Sequence, residues 1–246
     1  MKPFHAFRIR VNKLFVPMRS ARIARRYRAL GGGPATILAN NCAAGRMLHD
    51  LGLRLDTPTV NLWMTFSGFL DLVEGMPESF EGKLEEVCGS GERNPVANLR
   101  FGGRSVRLHF LHEATFASAK ADWERRRVRV DPARTFLVAT DNSNATEEEL
   151  DRFLRLPWPK KMFVKDAWKA ERLGEAGVLV RGDFREGFNV HDFPGWFGRT
   201  HYQRSLDFAS WIAGGGKSAP GEPQRRGAGE DFMPAFPLSG GRGCGS

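Results

Sequence analysis

Four short apolar runs divide this chain: residues 35–39 (ATILA), 135–139 (TFLVA), 162–164 (MFV) and 178–180 (VLV). Each is too short to form a helix with a buried face, and none alternates as a half-exposed strand would. Such runs suit strands covered on both faces. Stretches with helical periodicity lie between them and supply that cover. The pattern therefore predicts an α/β body: layered, with a mixed, mostly parallel sheet, flanking helices and one β-hairpin.

The hairpin is read from residues 96–101 and 104–111 across Gly102-Gly103, with Val106, Leu108 and Phe110 on one face and Arg107, His109 and Leu111 on the other. Residues 43–51 read as a helix stopped by Gly52, and 66–73 and 79–87 as amphipathic helices around Gly75 and Pro77. Pro58 drives 57–62 extended. Residues 116–127 are helical, Thr146 and Glu149 form a capping box for a helix to about Leu156, and 201–212 form a last helix.

Three domains of behaviour are expected: an arm (1–33), an α/β domain (34–213) and a disordered tail (214–246). The break after the arm is Gly31-Gly32-Gly33-Pro34. The tail holds ten glycines and four prolines and has little periodicity. With 246 residues and 41% apolar content, the remainder can build a substantial core. No run of eighteen apolar residues marks a membrane span, and no signal-like apolar stretch opens the chain. Cys42, Cys88 and Cys244 are too few and too scattered for a disulfide framework. A cytoplasmic setting is expected.

The net charge of +9 is not spread evenly. Ten basic residues precede the first acid, Asp50, and the rest of the chain is close to neutral. Within the arm, Phe4, Phe7, Val11, Leu14, Phe15 and Met18 recur at helical spacing among the cations, and Pro17 should end or kink the helix near Val16. Two readings lead, ahead of a nucleic-acid arm: a helix at an anionic membrane surface through residues 1–30, or a helix docked on the body with its arginines solvated. No nucleic-acid module is recognisable, and nucleic acid is not expected as a partner.

Polar turns after apolar strands are where α/β sheets place ligands. The first turn runs Asn40-Asn41-Cys42-Ala43-Ala44-Gly45 and opens a helix, so its N–H groups can receive a phosphate. Cys42 there is either a nucleophile or a small packed residue. The second turn is Asp141-Asn142-Ser143-Asn144, where Asp141 is a candidate metal ligand or the start of an Asx turn. His109 and His112 point to opposite faces of an extended strand, so they are single-histidine candidates for a base or a phosphate contact. P-loop, dinucleotide-binding, nucleophile-elbow and HExxH signatures are absent; Gly214–Ser218 ends in Gly-Lys-Ser without the strand and helix a P-loop needs.

Taken together, residues 37–62, 106–130, 135–142 and 156–164 resemble the bacterial domain-of-unknown-function family numbered nineteen-nineteen, over about residues 34–213. Its members are commonly labelled exopolysaccharide- or capsule-biosynthesis proteins, sometimes glycosyltransferases. The family commonly reads N-x-C-x-G-G in the first turn, where Ala44 replaces a glycine here, and T-D-R-D-G in the second, where Ser143 replaces an acid. Asp141 and His109 match family positions. The resemblance implies a sugar transferase using a nucleotide sugar and a glycan or lipid-linked acceptor. His109, Asp141 and Cys42 would be its catalytic candidates, and Asn40, Asn41, Gly45, His112 and Asn142 would bind substrate. Asp141 would hold the diphosphate directly or through Mg or Mn, and the serine at 143 points to reduced or metal-independent activity. Two other readings remain open: a Cys42-dependent acyl transferase or hydrolase using His109 or His112, and a non-catalytic accessory protein of a membrane-associated polysaccharide assembly.

Overall fold

The computed structural model describes residues 3–55, 57–89, 91–182, 188–193 and 199–217. The expected disorder of the tail beyond Lys217 falls outside these residues. Helix α1 (Pro3–Ala29) continues past Pro17 and does not end near Val16. Lys13 and Pro17 are both exposed, so the carbonyl deprived of its N–H partner faces water and the helix continues. The second half of α1 is part of the body. Ala24 and Tyr27 are buried, the Tyr27 hydroxyl donates to Gly33 O at 2.7 Å, and Arg26 pairs with Asp207.

Strand β1 (Thr36–Ala39) leads into α2 (Ala43–Leu51), which ends on Gly52 in the left-handed conformation, φ 69°. Its N–H bonds His49 O and that of Leu53 bonds Leu48 O, the closure only a residue tolerant of positive φ makes readily. A two-residue strand β2 (Leu62–Trp63) and helix α3 (Phe66–Glu74) follow. The helix predicted over 79–87 is instead a short α4 (Glu78–Glu81) and an edge strand β3 (Lys83–Glu86). Gly82 explains the change of direction: a Cβ there would lie 2.7 Å from Arg100 O, so only glycine lets the chain pass this close to the next strand. The hairpin forms as read, β4 (Val96–Phe101) and β5 (Arg104–Phe110), and is followed by α5 (Phe116–Arg127).

The chain then alternates: β6 (Thr135–Thr140), α6 (Glu147–Arg155) with the Thr146–Glu149 capping box, β7 (Lys160–Val164), α7 (Ala167–Leu173) and β8 (Gly177–Leu179). The last predicted helix divides at Leu206-Asp207 into α8 (His201–Ser205) and α9 (Phe208–Ala213).

The layered α/β class holds, with the strands divided between two sheets. One is parallel, in the order β1-β6-β7-β8; the other is antiparallel, β2-β5-β4-β3. Burial explains the division. The four strands of the parallel sheet are covered on both faces, whereas β5 buries Val106, Leu108 and Phe110 and leaves Arg107 outside. One face of the parallel sheet (Leu38, Leu137, Ala139, Met162, Val164) shares a core with α3, α6 and the inner face of the antiparallel sheet. The opposite face (Ile37, Ala39, Val138, Phe163) packs against α2, Tyr27 of α1 and the Phe208–Ile212 helix. The C-terminal ends of β1 and β6, adjacent in the parallel sheet, bring both predicted polar turns together.

Candidate functional site

Asn40, at the end of β1, clamps the end of β6. Its amide donates to Thr140 O at 2.8 Å and accepts from Thr140 N at 3.0 Å, and it also donates to Asn142 Oδ1 at 3.2 Å. Asn142 in turn donates to Met64 O at 3.2 Å. Asn41 accepts from Ala43 N at 2.9 Å in an Asx turn. These buried amides replace the hydrogen bonds the two turns would otherwise lack and lock the loops together.

Asp141 is turned inward. Its Oδ2 is 2.5 Å from Lys169 Nζ on α7, and its Oδ1 accepts from Ala145 N at 2.7 Å. Lys169 also donates to Asn144 Oδ1 at 3.0 Å. The two charged side chains are 2% and 1% exposed. Ser143, which occupies the place of the family's second acid, accepts from Phe66 N at 3.2 Å. The carboxylate expected to receive a diphosphate or a cation therefore has both oxygens satisfied by protein. Among the described residues no group of three or more His, Cys, Asp and Glu is arranged to hold a metal ion. These residues do not fit a cation.

Cys42 and His112 do meet. Cys42 Sγ lies 3.6 Å from His112 Nε2, with the imidazole exposed and the thiol half-buried. Their approach is built by the extended segment before β2. Asn61, at φ 66°, accepts Leu111 N at 3.1 Å and so sets the start of the turn carrying His112. Asn94 donates to Leu111 O at 2.6 Å from the other side. Gly45 gives the same segment room, since a Cβ there would come 3.3 Å from Val60 Cγ1. Burial pushes the Cys42 thiol above its ordinary range, opposed by the charge of Arg46. The sulfur is thus held as a thiol at neutral pH. The first turn of α2 has no cap from the Cys42 side chain, and Asn41 takes only the Ala43 N–H.

His109 stands apart from this pair. On the outer face of β5 its Nδ1 is 2.9 Å from Glu92 Oε2, and its ring meets Trp63 edge-on at 4.8 Å. Its partners explain a structural histidine.

Other polar residues not foreseen from sequence lie along α2 and the segments packed on it. Arg46 follows Cys42 by one helical turn. Asp50, near the end of α2, is buried and filled by Ser20 Oγ at 2.5 Å, by Gln203 Nε2 at 2.5 Å and by the Tyr202 hydroxyl. Burial and then Asp50 push the Tyr202 phenol well above its usual range. His191 is brought in by the segment 188–193, held where Tyr202 N donates to Val190 O at 3.0 Å. Burial lowers its imidazole, against the pull of Asp192. The one local signal that could have pointed to any of them is the i, i+4 spacing of Cys42 and Arg46.

A family model described as a domain of unknown function, DUF1919, matches residues 8–212. A relative described as an uncharacterized protein of Haemophilus influenzae is 24% identical over 215 residues, spanning 86% of this chain and 98% of the relative. The family match takes in most of α1 as well as the two sheets.

Proposed function

We propose, from the premise that the chain belongs to the DUF1919 family, that it is a thiol-dependent acyl transferase or hydrolase working in surface-polysaccharide assembly. One observation carries this reading: a thiol and an exposed imidazole 3.6 Å apart at the mouth of a strand-to-helix turn. The polysaccharide setting is what the family resemblance implies. Because the thiol is neutral at rest, His112 Nε2 removes its proton as sulfur attacks the acyl carbon. The C–S bond forms, the carbonyl electrons move to oxygen, and the first-turn N–H groups of α2, which the Cys42 side chain leaves uncapped, would receive the negative charge. Collapse expels the leaving group with the proton from the imidazolium. An acceptor hydroxyl or water then repeats the sequence and restores the thiol.

The sugar-transfer expectation has less in its favour, since it assigns the diphosphate to Asp141, whose oxygens Lys169 and Ala145 hold. Peripheral attachment to an anionic membrane is supported by apolar side chains exposed along α1. Phe7, Leu14 and Met18 are 59%, 77% and 65% exposed, beside exposed Arg10, Lys13, Arg22 and Arg25. Among the described residues no helix is long and apolar enough to cross a membrane.

The test is capture of the acyl-enzyme. With a panel of activated acyl thioesters and esters, peptide mass spectrometry should find the acyl group on Cys42, absent in Cys42→Ala and formed roughly 10²-fold more slowly in His112→Asn. No adduct at Cys42 with any donor, together with a clear rise in melting temperature on adding nucleotide sugars, would overturn acyl transfer in favour of sugar transfer.

A further inference from the structure

The thiol and imidazole lie in a basic environment that the acyl-transfer chemistry does not by itself require. Arg46 is four residues beyond Cys42, so the two side chains share a face of α2, and its N–H bonds Cys42 O at 3.3 Å. It is half-buried, and among the described residues its guanidinium has no hydrogen-bond or ion-pair partner. A planar group with five donors, never deprotonated, is poorly matched to such a place unless an anion joins it. The neighbouring acid on α2, Asp50, cannot serve, because Ser20, Tyr202 and Gln203 occupy its oxygens. Asp192 acts instead on His191 and His201.

More donors converge here. Arg19 of α1 lies over the Phe193 ring at 5.0 Å and donates to Asn12 O at 3.1 Å. The juxtaposition of Ser20 with Asp50 brings that part of α1 against the C-terminal turn of α2. His191 has a buried Nδ1 without a hydrogen-bond partner. Arg19, Cys42, His191 and Tyr202 all feel the charge of Arg46, and His191 also feels His112.

We propose that Arg46 and His191 form an anion pocket beside Cys42 and that the substrate presented to this thiol carries a phosphate group. A phosphate offers three oxygens, enough for a bidentate guanidinium and an imidazole N–H together, where a carboxylate offers two. The open N-terminal turn of α2 faces the same charge preference. The inference rests on the thiol reading for what the phosphate-bearing molecule does, but the pocket can be tested without it.

Charge-selective alkylation is the experiment. The full-length chain is treated with iodoacetate, an anion, or iodoacetamide, its neutral counterpart, and each cysteine is followed by peptide mass spectrometry. Exposed Cys88 is the internal reference. The iodoacetate-to-iodoacetamide rate ratio should be about fivefold or more higher at Cys42 than at Cys88 and should collapse in Arg46→Gln. Millimolar inorganic phosphate should slow both reagents at Cys42, and acetate at equal ionic strength should not. In parallel, inorganic phosphate should raise the melting temperature of wild type and Cys42→Ser but not of Arg46→Gln. Arg46→Lys, which keeps the charge without the fork, serves where Gln does not fold and should retain only part of the ratio.

An unchanged ratio in Arg46→Gln, with no phosphate-dependent shift, overturns the pocket. Equal protection by acetate overturns its assignment to phosphate. Inertness of Cys42 to both reagents, with the phosphate shift intact in Cys42→Ser and lost in Arg46→Gln, supports the pocket and sinks the thiol reading alone.

Discussion

Replacing Asp141 by Asn removes the charge opposite Lys169 while keeping an oxygen for the Ala145 N–H. The pair is sealed from water, at 2% and 1% exposure, with 2.5 Å between Oδ2 and Nζ. Neutralising one partner of a buried pair costs about 3–5 kcal/mol, because Lys169 is then left with only the half-buried Asp166 carboxylate, Oδ2 at 3.7 Å. For a body of this size each kcal/mol lowers the melting temperature by about 2–4 °C, so Asp141→Asn should melt roughly 6–20 °C below wild type. Lys169→Met should fall comparably. The double variant should lose less than the sum, by a coupling on the order of 1–3 kcal/mol or more, because neither charge is then stranded. Differential scanning fluorimetry and urea titration measure all four corners of the cycle. Additive losses, or an Asp141→Asn protein as stable as wild type that no longer binds nucleotide sugar with Mn²⁺, would refute the structural role and return Asp141 to the diphosphate.

Three other outcomes follow from the geometry. His191 and His201 are both held below the ordinary imidazole range by burial, opposed by Asp192, with Arg46 and His112 adding to the effect at His191 and Arg204 at His201. The unfolded chain therefore binds protons first, so stability should be level above about pH 7 and decline as pH falls from about 6.5 toward 5; an identical acid slope in His191→Asn/His201→Gln would dismiss this account. Gly82→Ala pushes a methyl to within 2.7 Å of Arg100 O and should cost about 1–3 kcal/mol in urea titration, and a neutral result would mean that the α4–β3 turn does not need its glycine. Vesicles containing anionic phospholipid should carry the protein upward in flotation, less so at high salt, and Phe7→Ser/Leu14→Ser/Met18→Ser should abolish flotation without lowering the melting temperature. Equal flotation of that triple variant would remove these apolar side chains from membrane binding.

Much of the fold could be read from local signals because those signals are local in cause. The strands β1, β6 and β7 carry the apolar runs 37–39, 136–139 and 162–164, Thr146 and Glu149 carry a cap within four positions, and Gly52 supplies the positive φ that closes α2. The hairpin declared itself by alternation and two glycines. Where the reading missed, a contact distant in sequence decided. Residues 83–86 carry a pattern compatible with a helix, but hydrogen bonds from β4 and burial of Leu84 draw them into a sheet. Pro17 was expected to interrupt α1, and only its exposure makes the lost hydrogen bond tolerable.

The candidate site divides the same way. Sequence alone determined that two polar turns follow buried strands and that the turn holding Cys42 opens a helix, because strand ends and helical turns are properties of neighbouring residues. Tertiary structure decided which of the candidates meet. Cys42 touches an imidazole seventy residues away, Asp141 is claimed by a lysine twenty-eight residues on, and His109 is drawn off by Glu92. A side chain's type announces the chemistry it can perform, whereas its partners and its distance from water, both set by folding, determine the chemistry left to it.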